Sequence, residues 1–197
     1  MSLDLASCAD GELAALALAG RQAAYSALMA RHRDAVYRLV RGHTGDADAA
    51  LDITQQAFVA GFGALARYDG DRPFRLWIAR IALNKARDWA RRRAVRHFFT
   101  FARPIDEAYA VADEGVAADR QIDDRIALDR TLRAIARLPD TLKTVLILRG
   151  IEGLSQSEAA AVLGIGEKAV ETRLYRARRR LQDDLRAASP VSKGLIA

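Results

Sequence analysis

Residues 156–174, QSEAAAVLGIGEKAVETRL, contain the pattern that decides the fold. Ala160 is small, as is required where two helices cross closely, and Gly164 suits the left-handed turn that ends a helix. Ile165 and Val170 are apolar where side chains fill the space between the helices. This spacing predicts a helix-turn-helix, whose second helix enters the major groove of DNA. A helical hairpin with a solvated basic face is the alternative.

The second helix of this motif is predicted to contact DNA. Residues 166–186 contain seven Lys/Arg and four acids. Phosphate contacts position a protein on DNA, whereas contacts to base edges give sequence preference. The candidates for base edges are Lys168, Glu171, Thr172, Tyr175 and Arg176, and later arginines with Arg173 and Arg179 are candidates for DNA phosphates. Two roles stay open for Glu171, because it can accept from a cytosine amino group or pair with Tyr175 or Arg178 along the helix.

A second basic helix is predicted over residues 73–96, within a stretch (67–103) that contains eleven Lys/Arg and three acids. Steps of four, three and four place four polar residues on one face, where they can meet one partner: Arg80, Asn84, Arg87 and Arg91. Asn84 has donor and acceptor atoms for a base edge, and a structural hydrogen bond is its alternative role. Phe74 and Trp77 belong to the apolar stripe and favour core positions over base stacking.

The whole pattern predicts an all-α chain of two small helical domains joined by an acidic flexible linker. Only four prolines interrupt the helical periodicity. Residues 1–96 form the first predicted domain, and residues 97–122 lose periodicity and form the linker. Residues 123–187 form the second domain with the helix-turn-helix, followed by a frayed tail at 188–197.

The composition excludes several classes of function. A net charge of +6 and a pI of about 9.9 suit a polyanionic partner. Cys8 is the one cysteine, and the three histidines lack metal-ligand spacing, so we expect neither a metal nor a cofactor. No apolar run is long enough for membrane insertion, and the N-terminus does not resemble a signal peptide, which predicts a cytoplasmic protein. Without clustered carboxylates or a nucleophile–base pair, an enzyme such as a recombinase is disfavoured.

Three stretches, taken together, resemble the extracytoplasmic-function sigma factors of bacterial RNA polymerase. Residues 52–58, DITQQAF, are similar to the Asp-Leu-x-Gln-x-x-Phe stretch of that family. Residues 74–88, FRLWIARIALNKARD, are similar to its Phe-x-x-Trp-Leu-x-x-Ile-Ala-x-Asn-x-x-x-Asp stretch. Residues 138–160 resemble the start of its second domain. The resemblance covers about 10–95 and 125–187, and the order and spacing of the motifs make it specific.

The resemblance implies a role for each surface. One helix would dock on the clamp helices of core RNA polymerase through Asp52, Gln55, Gln56 and Val59. The loop at 70–74 and the following helix would hold melted promoter DNA, which adds Arg72 and Arg75 to the face described above. The helix-turn-helix would recognise the upstream promoter element. An anti-sigma factor is an implied partner, and the acidic linker is expected to occupy space that nucleic acid later claims.

A conventional helix-turn-helix regulator with an N-terminal sensing or dimerisation domain is the second hypothesis. It accounts for residues 125–187 but not for the basic face with Asn84. We expect the free chain to bind DNA weakly, because two domains on a mobile linker are not preorganised. Gly61 and Gly63 depart from the family pattern, and close packing of a neighbouring helix is one explanation for them.

Overall fold

The structure, a computed structural model, describes residues 4–100 and 119–188. All regular secondary structure in these ranges is helical, which confirms the all-α prediction there. The helices are α1 (Asp10–Leu18), α2 (Gln22–Thr44), α3 (Ala47–Gly63), α4 (Phe74–Thr100), α5 (Asp119–Arg137), α6 (Asp140–Leu146), α7 (Gln156–Leu163) and α8 (Glu167–Ala188). A 3-10 turn at Leu65–Arg67 follows α3, and a π-helical segment at Ile147–Ile151 follows α6.

Helices α1 to α4 pack around one apolar core. Leu28 of α2, Phe58 of α3 and Phe74 of α4 are almost fully buried there, and burial of each such side chain contributes about 1.5–3 kcal/mol. Gly45 ends α2 with a φ of +71°, a conformation that glycine adopts without strain. Asp46 then begins α3 by accepting a hydrogen bond from the Ala49 amide at 3.0 Å. The tight turn makes α2 and α3 antiparallel neighbours.

Gly61 allows α3 and α4 to approach closely. A Cβ atom at this position would lie 2.8 Å from Cδ1 of Ile78, whose side chain is buried. A Cβ at Gly63 would meet nothing within 4 Å. Close helix packing therefore explains Gly61, whereas no packing requirement explains Gly63.

The helix-turn-helix prediction is confirmed. The Ser155 hydroxyl accepts from the Glu158 amide, and the Glu158 carboxylate accepts from the Ser155 amide, so both groups cap the start of α7. Gly164 ends α7 with a φ of +66° and donates its amide to the carbonyl of Ala160. Val170, in the first turn of α8, is fully buried. These contacts fix the angle at which α8 is presented.

The second domain packs against α2 and α4 of the first. A Cβ at Gly42 of α2 would lie 3.3 Å from side-chain atoms of Ile147, which shows how closely the Ile147 side chain packs against the backbone of α2. Leu148 and Leu154 are buried beside α2, and a cavity of about 200 Å³ remains at this junction. The sequence left the mutual arrangement of the two predicted domains open, and in this structure they are packed against each other.

The helices on both sides of the predicted linker are longer than expected. Helix α4 continues to Thr100 and α5 begins at Asp119, so each extends into the predicted segment 97–122. Residues 101–118, with most of that acidic segment, lie outside the described residues, as does the predicted tail after 188. The division into domains and linker at 96 and 123 stays a prediction.

Candidate nucleic-acid interface

The polar face of α4 is accessible at its centre. Arg80 and Asn84 are exposed, and neither side chain forms a hydrogen bond or ion pair within residues 4–100 and 119–188. The alternative of a structural hydrogen bond for Asn84 is therefore not supported. A cleft of about 680 Å³ runs along this face, lined by Asn84, Arg87, Arg91 and Asp140 among others. The amide of Asn84 and two cationic side chains, Arg87 and Arg91, thus line the same space.

Two arginines of this face are paired with acids of the second domain. Arg87 donates from Nε to Oδ2 of Asp140 at 2.9 Å, and Arg75 donates to the Glu158 carboxylate. The partners are 53 and 83 residues apart in the chain. Sequence reasoning missed both acids, because each is also a normal residue for the start of a helix and no local signal reveals its distant partner. In this arrangement the two arginines already have anionic partners.

A buried histidine completes the contact at Asp140. Nε2 of His43 lies 2.9 Å from Oδ1 of Asp140, while its Nδ1 is buried without a hydrogen-bond partner in the described part of the chain. Burial lowers the pKa of His43, although the hydrogen bond with Asp140 opposes that effect. A neutral imidazole that donates from Nε2 to Asp140 fits these facts, since a proton on Nδ1 would find no acceptor.

The same contact affects Asp140. Its carboxyl has a pKa lowered from 3.8 to about 2, first by the hydrogen bond from His43 and also by the charge of Arg87. Asp140 is therefore ionised at neutral pH and holds a cation of the first domain against the second. Lys143, one turn further along α6, is buried beside it and donates to the carbonyl of His43 at 3.3 Å.

The remaining residues of the predicted melted-DNA surface divide by exposure. Arg72 is exposed and pairs with Asp69 at 3.1 Å, and Arg91 pairs with Asp88 on its own helix. Phe74 is fully buried, which confirms its core position. Trp77 is half-buried and packs its ring against Phe74 at 5.3 Å between centroids. The aromatic residues thus support α4 from behind while its arginines face outward.

The predicted recognition face of α8 is presented to solvent. Lys168, Glu171, Thr172, Tyr175, Arg176 and Arg179 are exposed, and Arg173 is half-buried at the edge of this face. Glu171 pairs with Lys168, whose Nζ lies 2.8 Å from its carboxylate, so neither of its two expected intrahelical partners is used. This pair raises the pKa of Lys168. The Thr172 hydroxyl donates to the carbonyl of Lys168, which leaves Tyr175 and the arginines as the freest groups of the face.

The outer face of α3 carries the residues predicted to dock on polymerase. Asp52 and Gln55 are exposed, Val59 is 74% exposed, and Gln56 donates to the Asp52 carboxylate at 2.8 Å. Leu51 is also 56% exposed and adds an apolar group one turn before Gln55. Sequence reasoning missed Leu51, although its position off the apolar face of α3 was a usable signal.

Other kinds of site receive no support from the residues that the structure describes. None of the helices there has the length and apolarity needed to span a bilayer. Nor do those residues bring three metal-ligating side chains of the His, Cys, Asp or Glu type together.

Comparisons with known proteins identify the family of this chain. Residues 28–96 match the family described as Sigma-70 region 2, and residues 128–181 match Sigma-70, region 4. The chain is 41% identical to RNA polymerase sigma factor CnrH of Cupriavidus metallidurans, over 92% of this chain and 96% of CnrH. It is 30% identical to the ECF RNA polymerase sigma-E factor of Escherichia coli, over 81% of this chain and 85% of that one.

A solved structure is similar over the same length. The structure of CnrH in complex with the cytosolic domain of CnrY aligns with a TM-score of 0.68 and 36% identity, covering 92% of this chain and all of that one. Both sigma-70 regions, the helix-turn-helix and the near full-length likeness to CnrH lead to one conclusion. The chain belongs to the extracytoplasmic-function sigma factors of bacterial RNA polymerase.

Proposed function

We propose that this sigma factor guides core RNA polymerase to promoters through three surfaces, and that two of them contact DNA. The observation that carries the proposal is the exposed face of α4, where Arg80 and Asn84 lie one helical turn apart and have no partner among the residues that the structure describes. A conventional regulator has no use for such a face, whereas a protein that holds a melted strand needs both polar groups for base edges and cations for phosphates. The chain acts as an initiation factor rather than as an enzyme, and it works in the cytoplasm.

The polymerase-binding surface is the outer face of α3. Asp52, Gln55 and Gln56 supply polar contacts, and Val59 with Leu51 supplies apolar area beside them. Exposed apolar side chains surrounded by polar ones are typical of protein-binding surfaces, and helix-on-helix docking suits this shape. We assign this surface to the clamp helices of the largest polymerase subunit.

The melted promoter element is assigned to α4 and the loop before it. Arg72, Arg75, Arg87 and Arg91 track the phosphates, and Asn84 with Arg80 contacts the bases or the adjoining backbone. The upstream element is assigned to α8. There Lys168, Glu171, Thr172, Tyr175 and Arg176 face base edges, and Arg173 and Arg179 face phosphates.

Promoter binding requires the two domains to separate. We call the packed state of the two domains in this structure the closed arrangement. In it, Arg87 pairs with Asp140 and Arg75 pairs with Glu158, so neither arginine is available to phosphates. We therefore propose that core polymerase selects an open arrangement of the chain. A partner that favours the closed arrangement would act as an anti-sigma factor, and the similarity to CnrH, whose structure was solved with the cytosolic domain of CnrY, supports such a partner.

The test is in-vitro transcription with purified bacterial core polymerase on genomic fragments from the source organism. Transcripts with defined starts should appear only when the chain is added. Val59→Asp should abolish them by weakening the complex with core polymerase, as measured by size-exclusion co-elution. Asn84→Ala should preserve co-elution but reduce promoter opening, as measured by permanganate reactivity of unpaired thymines. Tight duplex binding by the chain alone, without added transcripts, would favour the conventional regulator instead.

A further inference from the structure

A second cleft lies between the domains, next to the C-terminal half of α4. It is bounded by the turn between α2 and α3, by α4, by α5 and by the start of α6, and its volume is about 610 Å³. Its charged lining consists of Arg93, Arg133, Arg137, Lys143 and Asp46, with the ring of Trp89 at one side. Both predicted domains contribute cations to it.

The charges of this cleft are not balanced. Four of the lining side chains are cationic and one is a carboxylate. Asp46 caps α3 and lies 3.7 Å from Arg93, whose guanidinium stands over the Trp89 ring at 5.1 Å from its centre. Arg133 and Arg137 form no hydrogen bond or ion pair within the described ranges of the chain.

One cation of this cleft, Lys143, is buried, which adds a desolvation cost to the excess of positive charge. Lys143 is only 8% exposed, and its ammonium group donates to the carbonyl oxygen of His43 rather than to a carboxylate. Burial lowers the pKa of this lysine, while the nearby Asp140 carboxylate, which His43 and Arg87 already contact, acts in the opposite direction. A freely solvated basic face would not bury one of its cations.

We propose that this cleft binds an anion with at least two phosphate groups, of the size of an inorganic polyphosphate or a nucleoside polyphosphate. Guanidinium groups bind phosphate through paired hydrogen bonds, and Arg133 and Arg137 are one helical turn apart, so both can reach one chain of phosphates. Arg93 and Lys143 approach the same space from α4 and α6. Four cationic side chains around one cleft favour a ligand with several negative charges over a monovalent anion.

The ligand bridges the two domains and favours the closed arrangement. Because Arg93 belongs to the first domain while Arg133, Arg137 and Lys143 belong to the second, the complete set of cations exists only when the domains are packed. Any ligand that binds only this arrangement shifts the population toward it. Binding of the anion thereby opposes release of the α4 arginines from Asp140 and Glu158. Anion binding can be measured on the free chain, so the test does not depend on whether the proposed promoter contacts are correct.

Isothermal titration of the full chain with inorganic tripolyphosphate, in buffer of physiological ionic strength, tests the site. The wild-type chain should bind one equivalent, and the double variant Arg133→Gln/Arg137→Gln should bind roughly tenfold or more weakly because two charge-assisted contacts are lost. The control is Arg33→Gln/Arg67→Gln, which removes the same charge from exposed positions away from the cleft and should leave the affinity unchanged. Thermal melting of each variant verifies that it is folded.

Three results would overturn the proposal. The first is no binding of tripolyphosphate at millimolar concentration. The second is an equal loss of affinity in both double variants, which would indicate general charge attraction. The third comes from a parallel titration with a short DNA duplex: if only DNA binding depends on Arg133 and Arg137, the cleft is a contact surface for nucleic-acid backbone.

Discussion

Replacing Asp140 with asparagine removes the charge that holds Arg87 and His43 across the domain junction. The lowering of the Asp140 pKa to about 2 corresponds to roughly 2.4 kcal/mol at full value. The side chain is 46% exposed, however, and solvent screening reduces the contribution to about 1 kcal/mol. The closed arrangement should therefore lose about fivefold in population relative to the open one.

The apparent affinity of the free chain for single-stranded DNA reports this shift. Only the open chain offers Arg87 to phosphates, so the apparent dissociation constant should fall by up to about fivefold when the closed form dominates. Fluorescence anisotropy of a labelled promoter strand measures the constant, and small-angle scattering should show a larger radius of gyration for Asp140→Asn. Asp34→Asn is the matched control, because Asp34 is exposed on α2 and its removal changes the net charge equally.

Equal affinities for Asp140→Asn and the wild type, with both proteins folded, would refute the reasoning. A similar gain in the Asp34 control would refute it as well, because the effect would then reflect net charge instead of domain opening. A gain limited to Asp140→Asn, together with the larger radius, would be the expected result.

Two further predictions concern pH and helix packing. Burial keeps the pKa of His43 below 6.5 in the closed chain, so the stability that neutral His43 gives this arrangement is present above pH 6.5 and is lost as pH falls toward the lower value. Affinity for single-stranded DNA should consequently rise between pH 7.5 and 5.5, and His43→Gln should flatten that rise in the same anisotropy assay. Gly63→Ala should raise the free energy of unfolding by about 0.5 kcal/mol, since its Cβ meets open space and alanine favours the helix. Gly61→Ala should lower it by about 1 kcal/mol because buried Ile78 must shift, and equal urea midpoints for the two variants would contradict this difference.

The parts of the fold that depend on local spacing were predictable from the sequence. Gly164 and Val170 lie within one short stretch, and their roles in the turn and between the helices follow from backbone conformation and side-chain volume alone. The exposed face of α4 followed from helical periodicity in the same way. Glu171 shows where this reasoning becomes ambiguous, because several cations lie within reach along one helix and the structure selects Lys168.

The domain junction was not predictable, because its contacts join residues that are distant in the chain. Asp140 and Glu158 are ordinary first-turn residues of their helices, and only the packed structure shows that each also meets an arginine of the α4 face. Both arginines have the same requirement in either state, namely an anionic partner. A carboxylate supplies it when the domains are closed, and we propose that a phosphate supplies it at the promoter. Each arginine loses its carboxylate partner when the domains separate and gains a phosphate partner at the promoter. The net free-energy cost of separating the domains is therefore smaller than the loss of the ion pairs alone would suggest. Exchange of partners at the same arginines is thus a physical reason why a weakly held junction can still prevent DNA binding by the free chain and yet yield to polymerase.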